Sequence, residues 1–232
     1  MKVRIKFSKH GALKYIGHLD IMRYFQKVFR RADIDIAYTE GFSPHQVMSF
    51  AAPLGVGLES EGEYMDVELN SLVDTEDVRK RMNEHMAEGM EVLSVVVLPE
   101  KSGSAMAAVA AAGYYIAFRD DFEPPEGWRE AIKEFLKADQ ILVEKQTKKS
   151  VLQVDLKPSI YDFRLSSYQG KNCLYLMVNA SSAGNIKPAM VMEALFYKLG
   201  ISFDASEMSV TREDTYRNRG TEEELVFVPM DQ

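Results

Sequence analysis

The side chains best suited to chemistry in this chain are its histidines. Three of the four, His10, His18 and His45, lie in glycine-rich stretches of the N-terminal half. Imidazole titrates near neutral pH, so each is a candidate general acid or base. Asp20 follows His18 at a predicted helix start, where a carboxylate also stabilises free backbone N–H groups. We therefore keep the three histidines as catalytic candidates, but favour a structural or substrate-contacting role for them and for Asp20.

Metal and cofactor chemistry finds little support in the residue pattern. The histidine spacing matches no zinc-binding pattern, and neither a G-x-G-x-x-G motif nor a P-loop is present. We predict no metal and no cofactor. Cys173 is the only cysteine, which excludes an internal disulfide and favours a cytoplasmic location. No apolar run approaches the length of a membrane span, so we expect no membrane association.

Glycine and proline are unusually dense in residues 41–57. This stretch, named the 41–57 segment below, holds three glycines and two prolines. These residues fix unusual backbone angles, and long loops inside compact domains often carry function. We therefore predict that this segment contributes to a binding site, with Phe42 and Pro44 as contact residues.

Basic side chains are concentrated before and along the helix that begins near His18. The net charge of −7 argues against a protein that coats nucleic acid non-specifically, but it allows a local basic patch. Phosphate contact and a merely solvated helix face are equally good interpretations of this stripe. The candidate RNA-binding residues are Lys9, Lys14, Asp20, Arg23, Lys27, Arg30, Phe42, Pro44, Asn185 and Lys187.

Two further charged stretches allow two interpretations each. Asn185 and Lys187 precede a predicted helix, whose N-terminus could bind an anion, although a simple Asn or Ser N-cap explains the stretch slightly better. Lys2, Arg4 and Lys6 alternate along the first strand. They could form an RNA-recognition surface, but we favour pairing with the acidic residues of a neighbouring strand.

The order of the predicted elements indicates two similar halves. Periodic apolar residues in the first half predict strand, helix, strand, strand, helix, strand, which is the split βαβ arrangement of a ferredoxin-like domain. Its second strand is predicted at 34–38, so the 41–57 segment joins the second and third strands. This position predicts that His10, His18 and His45 meet at one end of the sheet. The second half repeats the order, with an extra hairpin turning at 148–150.

The predicted fold class is therefore α+β, with two tandem ferredoxin-like (βαββαβ) domains, the second carrying an extra β-hairpin. The first domain is predicted at 1–99 and the second at 113–212. Residues 213–232 are expected to form a loosely held polar tail.

Several short motifs carry a resemblance to a known family. They are Phe7-Ser-Lys9, Gly17-His-Leu-Asp20, Gly41-Phe-Ser-Pro-His45, Gly62-Glu-Tyr-Met-Asp66, Asp155-Leu-Lys-Pro158, Tyr161-Asp162 and Ala183-Gly-Asn-Ile-Lys-Pro188. With them the chain resembles the bacterial radical-SAM-linked protein family, a domain of unknown function found fused to, or encoded beside, a radical-SAM protein. The family usually has proline where this chain has Gln46. The resemblance implies a radical-SAM protein as partner.

The cysteine count limits the role that this chain can have beside such a partner. A radical-SAM cluster is normally held by three cysteine thiolates, and one cysteine cannot supply them. We therefore expect a non-catalytic recognition module of a radical-SAM system that contacts RNA. One alternative is a metal-independent endoribonuclease similar to the RAMP-type enzymes that process CRISPR repeats, with a histidine base, although their C-terminal glycine-rich loop is missing. The other alternative is a pure protein-docking domain.

Overall fold

The structure is a computed structural model that describes residues 1–71, 74–146 and 151–232. Its helices and strands are, in chain order, β1 (Lys2–Lys9), α1 (His18–Arg31), β2 (Met48–Phe50), β3 (Glu59–Glu68), α2 (Thr75–Asn83), β4 (Met90–Val97), α3 (Ala105–Ala108), β5 (Ala111–Phe118), α4 (Trp128–Lys137), β6 (Leu142–Gln146), β7 (Val151–Asp155), β8 (Ile160–Tyr168), β9 (Lys171–Asn179), α5 (Pro188–Lys198), β10 (Met208–Asn218) and β11 (Phe227–Pro229). The fold mixes α and β structure in two compact units. The first holds residues 1–110 and 212–232, and the second holds 111–211.

In the first unit, β1 is the central strand. It pairs antiparallel with β4 on one side and β3 on the other, and β2 pairs antiparallel with β3. Alternate residues of β1 point to the core, as the sequence predicts: Val3, Ile5 and Phe7 are at most 1% exposed. Branched and aromatic side chains at every second position thus fix which face of this sheet is buried.

Helix α1 covers that buried face with one apolar stripe. Ile21, Phe25, Val28 and Phe29 are buried at helical spacing, and the Phe25 ring lies 4.7 Å from the Phe7 ring, edge to face. Helix α2 covers the same core further along, and its N-cap is Asp74, whose carboxylate accepts the Glu76 N–H at 3.2 Å. The sequence-based assignments of both helices are confirmed by these contacts.

The second strand differs from the sequence-based expectation at 34–38. The structure has only isolated bridges there, from Ile36 to Leu69 and from Tyr38 to Gln46. The regular strand is β2, inside the 41–57 segment, where Met48 to Phe50 pair with β3. Phe50 places its ring against Phe7 and Phe25 and so anchors this part of the segment to the core. Ile34 and Ile36 are buried as well, but without regular strand pairing.

Residues 213–232 do not form the expected loose polar tail. They continue β10 and add β11, which pairs with it. Met230 is 2% exposed, and the Asp231 carboxylate accepts hydrogen bonds from Tyr64 and Ser94 at 3.1 and 2.6 Å. The Asp231 carboxylate thus finds its partners within the first unit, which explains why a polar composition did not reveal the packing of this segment.

The basic face of β1 is neutralised, as the favoured interpretation predicted. Arg4 Nε lies 2.7 Å from Asp66 Oδ1, and Lys6 Nζ lies 2.6 Å from Asp214 Oδ2. Arg4 also donates to the Met230 carbonyl at 2.9 Å, so the C-terminal segment covers this face. Tyr64, an aromatic that could have stacked a base there, is buried. This face of the first unit is therefore no open RNA-recognition surface.

Gly62 is the place where β3 has no room for a side chain. A Cβ atom there would lie 2.7 Å from the Asp214 Cα, a contact with backbone that cannot rotate away. We expect Gly62→Ala to destabilise the protein by about 1–3 kcal/mol, the usual cost of overpacking a buried site. Urea unfolding followed by circular dichroism measures this, with Gly103→Ala as the control, since a Cβ at Gly103 meets open space. Equal stability of the two variants would contradict the prediction.

The second unit contains the expected elements in the expected order. Strand β9 pairs antiparallel with β5 and with β8, and α4 and α5 contribute Phe135 and Phe196 to its buried residues. The extra hairpin is formed by β6 and β7, which pair antiparallel. Its predicted turn at 148–150 lies outside the residues that the structure describes.

Candidate nucleic-acid interface

The tip of the 41–57 segment is a closed loop that presents an aromatic ring. The Thr39 N–H donates to the His45 carbonyl at 2.9 Å, and the His45 N–H donates to the Thr39 hydroxyl at 3.1 Å. Gly41 has φ +109°, a backbone conformation that favours glycine. Phe42, at the far end of this loop, is fully exposed, and Pro44 is exposed beside it. The loop is thus held in shape while Phe42 has no intramolecular packing to stabilise it.

The outer face of α1 carries the cationic stripe that the sequence predicts. Its members are all exposed: Arg23, Lys27, Arg30 and Arg31. Asp20 pairs with Arg23 at 3.3 Å, but both side chains are more than half exposed, so this pair contributes about 0–1 kcal/mol. The stripe therefore keeps most of its positive charge available to a ligand.

Gln46 joins the loop to the flank of this stripe. Its side-chain amide donates to the Gln26 carbonyl of α1 at 3.4 Å, the same oxygen that Arg30 Nε reaches at 3.3 Å. The amide also donates to the Tyr38 hydroxyl at 3.3 Å, and Tyr38 is 51% exposed. A proline at this position could make neither bond. One surface of the first unit thus offers exposed cations beside exposed aromatic rings.

The three histidines have separate sets of partners. His10 lies between Glu59 and Glu61, at 3.7 and 3.3 Å, and His18 packs edge-on against Phe50 with 5.0 Å between ring centroids. His45 Nδ1 lies 3.1 Å from the Thr39 hydroxyl oxygen. The segment therefore meets the start of α1 through Phe50, while His45 belongs to the loop tip. Across residues 1–71, 74–146 and 151–232, no group of three or more acidic, histidine or cysteine side chains could hold a metal.

The two lysines before α1 have different environments. Lys14 Nζ lies 3.3 Å from Glu59 Oε1, which also accepts the Gly11 N–H at 3.1 Å. Partial burial of Glu59 is outweighed by these donors, which hold the pKa of its carboxyl below the ordinary value. Lys9, expected on the same basic rim, is instead only 2% exposed. The sequence-based prediction placed Lys9 on the surface because a charged side chain is usually exposed. In the structure its position at the end of β1 lies beside the apolar core.

Asn185 and Lys187 lie in the second unit, both exposed. The N-cap of α5 is Lys187 itself, without a side-chain hydrogen bond, and Pro188 occupies the first turn. The Asn or Ser cap that we favoured from the sequence is therefore not formed. Proline's fixed φ and missing N–H explain how the helix begins without such a cap.

Tyr38 and Gln46 were missed by sequence reasoning. Tyr38 was assigned to the predicted second strand at 34–38, and Gln46 was noted only as a departure from the family's usual proline. That departure was the available signal, because a glutamine can bind a helix flank where a proline cannot.

Comparison with known proteins identifies the family to which the chain belongs. No curated protein matches it. One chain of a solved structure, titled "Crystal Structure of a Cbf5-Nop10-Gar1 Complex", is similar with a TM-score of 0.49 and 12% identity, over 92% of this chain and 48% of that one. In the described residues no helix is both long and apolar enough to cross a membrane. A family model described as "Uncharacterized protein conserved in bacteria" (DUF2344) matches residues 2–188, and the chain therefore belongs to that family.

Proposed function

We propose that this protein is a non-catalytic recognition module that binds single-stranded RNA through the outer face of α1 and the loop that carries Phe42. The observation that carries the proposal is the shared Gln26 carbonyl, which holds Gln46 of the loop and Arg30 of the stripe at one point. The loop that carries Phe42 is therefore joined through Gln46 to the helix that carries the cations.

This pairing of side chains suits single strands in particular. Arginine and lysine neutralise the phosphates, while unpaired bases stack on aromatic side chains, which is how many single-strand binders combine affinity with sequence tolerance. Phe42 is fully exposed and Tyr38 is half exposed, so both rings can accept a base face. Double-stranded RNA would bury its base faces and could use only the stripe.

The resemblance to the radical-SAM-linked family also suggests a protein partner for this activity. The motifs shared with the radical-SAM-linked family support a radical-SAM protein as the partner that carries out chemistry. Cys173 is buried and is the only cysteine, so the cluster and the reaction belong to that partner. A single free cysteine also supports a cytoplasmic location.

The strand pairing supports a ferredoxin-like fold for each of the two units. In the first unit, β1 lies between β4 and β3, with β2 on β3, all antiparallel, which suits a ferredoxin-like domain. In the second unit the element order is the same once β6 and β7 are set aside. Two tandem ferredoxin-like domains are therefore the architecture that we propose.

The loop aromatic gives a direct test of this function. We expect Phe42→Ala to weaken binding of a fluorescein-labelled single-stranded RNA about 5- to 10-fold. The reason is that one base loses its aromatic stacking partner, which contributes about 1 kcal/mol or slightly more to the binding free energy. Fluorescence anisotropy measures the affinity. The control is Tyr197→Ala, which removes an exposed aromatic of the second unit. Equal loss in both variants, or no binding by the parent protein, would overturn the proposal.

A protein-docking role is the second candidate, and exposed apolar residues near α1 favour it. Tyr15 and Leu19 are both about 60% exposed, and Gly57 of the 41–57 segment donates its N–H to the Lys14 carbonyl at 2.8 Å beside them. Aromatic residues and arginine are enriched where proteins bind each other tightly. Co-purification of a radical-SAM protein that is lost in Leu19→Asp, together with indifference to RNA, would support docking over RNA binding.

A further inference from the structure

The inner end of β1 holds a buried lysine beside a small pocket. Lys9 continues the buried row of Val3, Ile5 and Phe7, but it ends in an ammonium group. It lines a pocket of about 20 Å³, which is room for about one water-sized group. The other lining residues are Phe7, His18, Ile21, Phe50, Pro53, Leu54 and Glu63. Apart from His18 and Glu63, this wall offers no side-chain hydrogen-bonding group.

The carboxylate of Glu63, which acts on Lys9, also binds Arg212 and Ser60. Arg212 Nη1 lies 2.6 Å from Glu63 Oε1, and the Ser60 hydroxyl donates to the same oxygen at 3.0 Å. Burial raises the pKa of Glu63 although Arg212 and Lys9 oppose that shift. Glu63 therefore interacts with two cations, Arg212 and Lys9, through one carboxyl group.

In the part of the chain that the structure describes, the Lys9 ammonium has no ion pair within 4.0 Å, and the Glu63 carboxylate acts on it from a longer distance. Burial lowers the pKa of Lys9 even though the Glu63 carboxylate acts in the opposite direction. A lysine in a largely buried position is costly unless an acceptor reaches its ammonium, and a ligand oxygen in the pocket can be that acceptor. The three donors of a lysine ammonium suit an anionic oxygen well.

We propose that this pocket binds the oxyanion end group of a ligand, with one oxygen seated against Lys9 and His18 beside it. A carboxylate and a phosphate share this chemistry, because either can insert a single charged oxygen into a space of about 20 Å³. The apolar walls of Phe50 and Pro53 exclude water around that oxygen and so strengthen its attraction to the ammonium. This site uses residues that the proposed RNA interface does not, so the two proposals stand independently.

Nuclear magnetic resonance of the full chain labelled with ¹³C-lysine tests the site. The protein is titrated with formate and, separately, with inorganic phosphate, each against sodium chloride at equal ionic strength. We expect one lysine side-chain signal to shift saturably and the pKa of that lysine to rise by about 1–3 units, because a nearby anion favours the charged amine. The signal is assigned by its loss in Lys9→Met, and Lys80→Met, which removes an exposed lysine of α2, must leave it in place.

Each outcome separates the possibilities. A response to formate alone assigns a carboxylate end group, a response to phosphate alone assigns a phosphoryl group, and a response to both assigns recognition of a single charged oxygen. No saturable response to either anion overturns the site and leaves Lys9 as a counter-charge to Glu63. The wild-type titration decides this even if Lys9→Met fails to fold. Phe42→Ala must keep the response, so loss of RNA binding and loss of the anion site remain distinguishable.

Discussion

Replacing Arg23, Lys27 and Arg30 together with glutamine is expected to weaken binding of single-stranded RNA about 100-fold at 0.1 M salt. The estimate assumes one phosphate for each side chain, each contributing about −0.7 to the slope of log K against log salt. The triple variant should therefore also flatten that slope by about 2. Fluorescence anisotropy at several salt concentrations gives both numbers. The three side chains are exposed and do not touch the core, so stability should stay within about 0.5 kcal/mol.

A matched control separates a local interface from bulk charge. Lys80, Lys101 and Lys133 are also exposed, and changing them to glutamine alters the net charge by the same amount. If the stripe is the interface, the control keeps both its affinity and its salt slope. If both triple variants lose affinity equally, attraction is spread over the protein and α1 is not the binding site. An unchanged affinity in the stripe variant would likewise show that α1 is not the RNA-binding site.

The first unit was predictable wherever one face of an element is continuously buried. The alternation of β1 and the helical stripe of α1 each repeat over several residues, and tertiary contacts reinforce rather than override them. The second strand was misplaced because Ile34 and Ile36 are buried without regular pairing, while β2 has only three residues. A strand that short has too little periodicity to be recognised.

Long-range polar contacts were invisible for a different reason. Ser94 donates to Asp231 across 137 residues of sequence, and Tyr64 reaches Asp214 across 150. A polar segment is predicted to be exposed to solvent when its hydrogen-bond partners are far away in the sequence. For this reason residues 213–232 were predicted to be a loose tail. The same reasoning placed Lys9 on the surface, where its charge suggested it should be.

Asp66→Ala is expected to destabilise the protein by about 3–5 kcal/mol, the cost of leaving a buried charge without its partner. Arg4 is 4% exposed and donates to both Asp66 oxygens, at 2.7 and 3.1 Å, so it cannot turn to water when the carboxylate is removed. Urea unfolding measures the loss. Glu76→Ala removes an exposed acid paired with Arg79 and should cost no more than about 1 kcal/mol.

The double variant Arg4→Met, Asp66→Leu shows where that free energy comes from. Because both charges are absent, no buried charge is left without its partner, and the apolar side chains fill similar volume. We expect the double variant to be more stable than Asp66→Ala alone, although the Met230 carbonyl also loses the Arg4 donor at 2.9 Å. If the double variant were as unstable as Asp66→Ala, the pair itself would stabilise this face. If it recovers most of the loss, the charge pair serves mainly to neutralise β1 beneath the C-terminal segment.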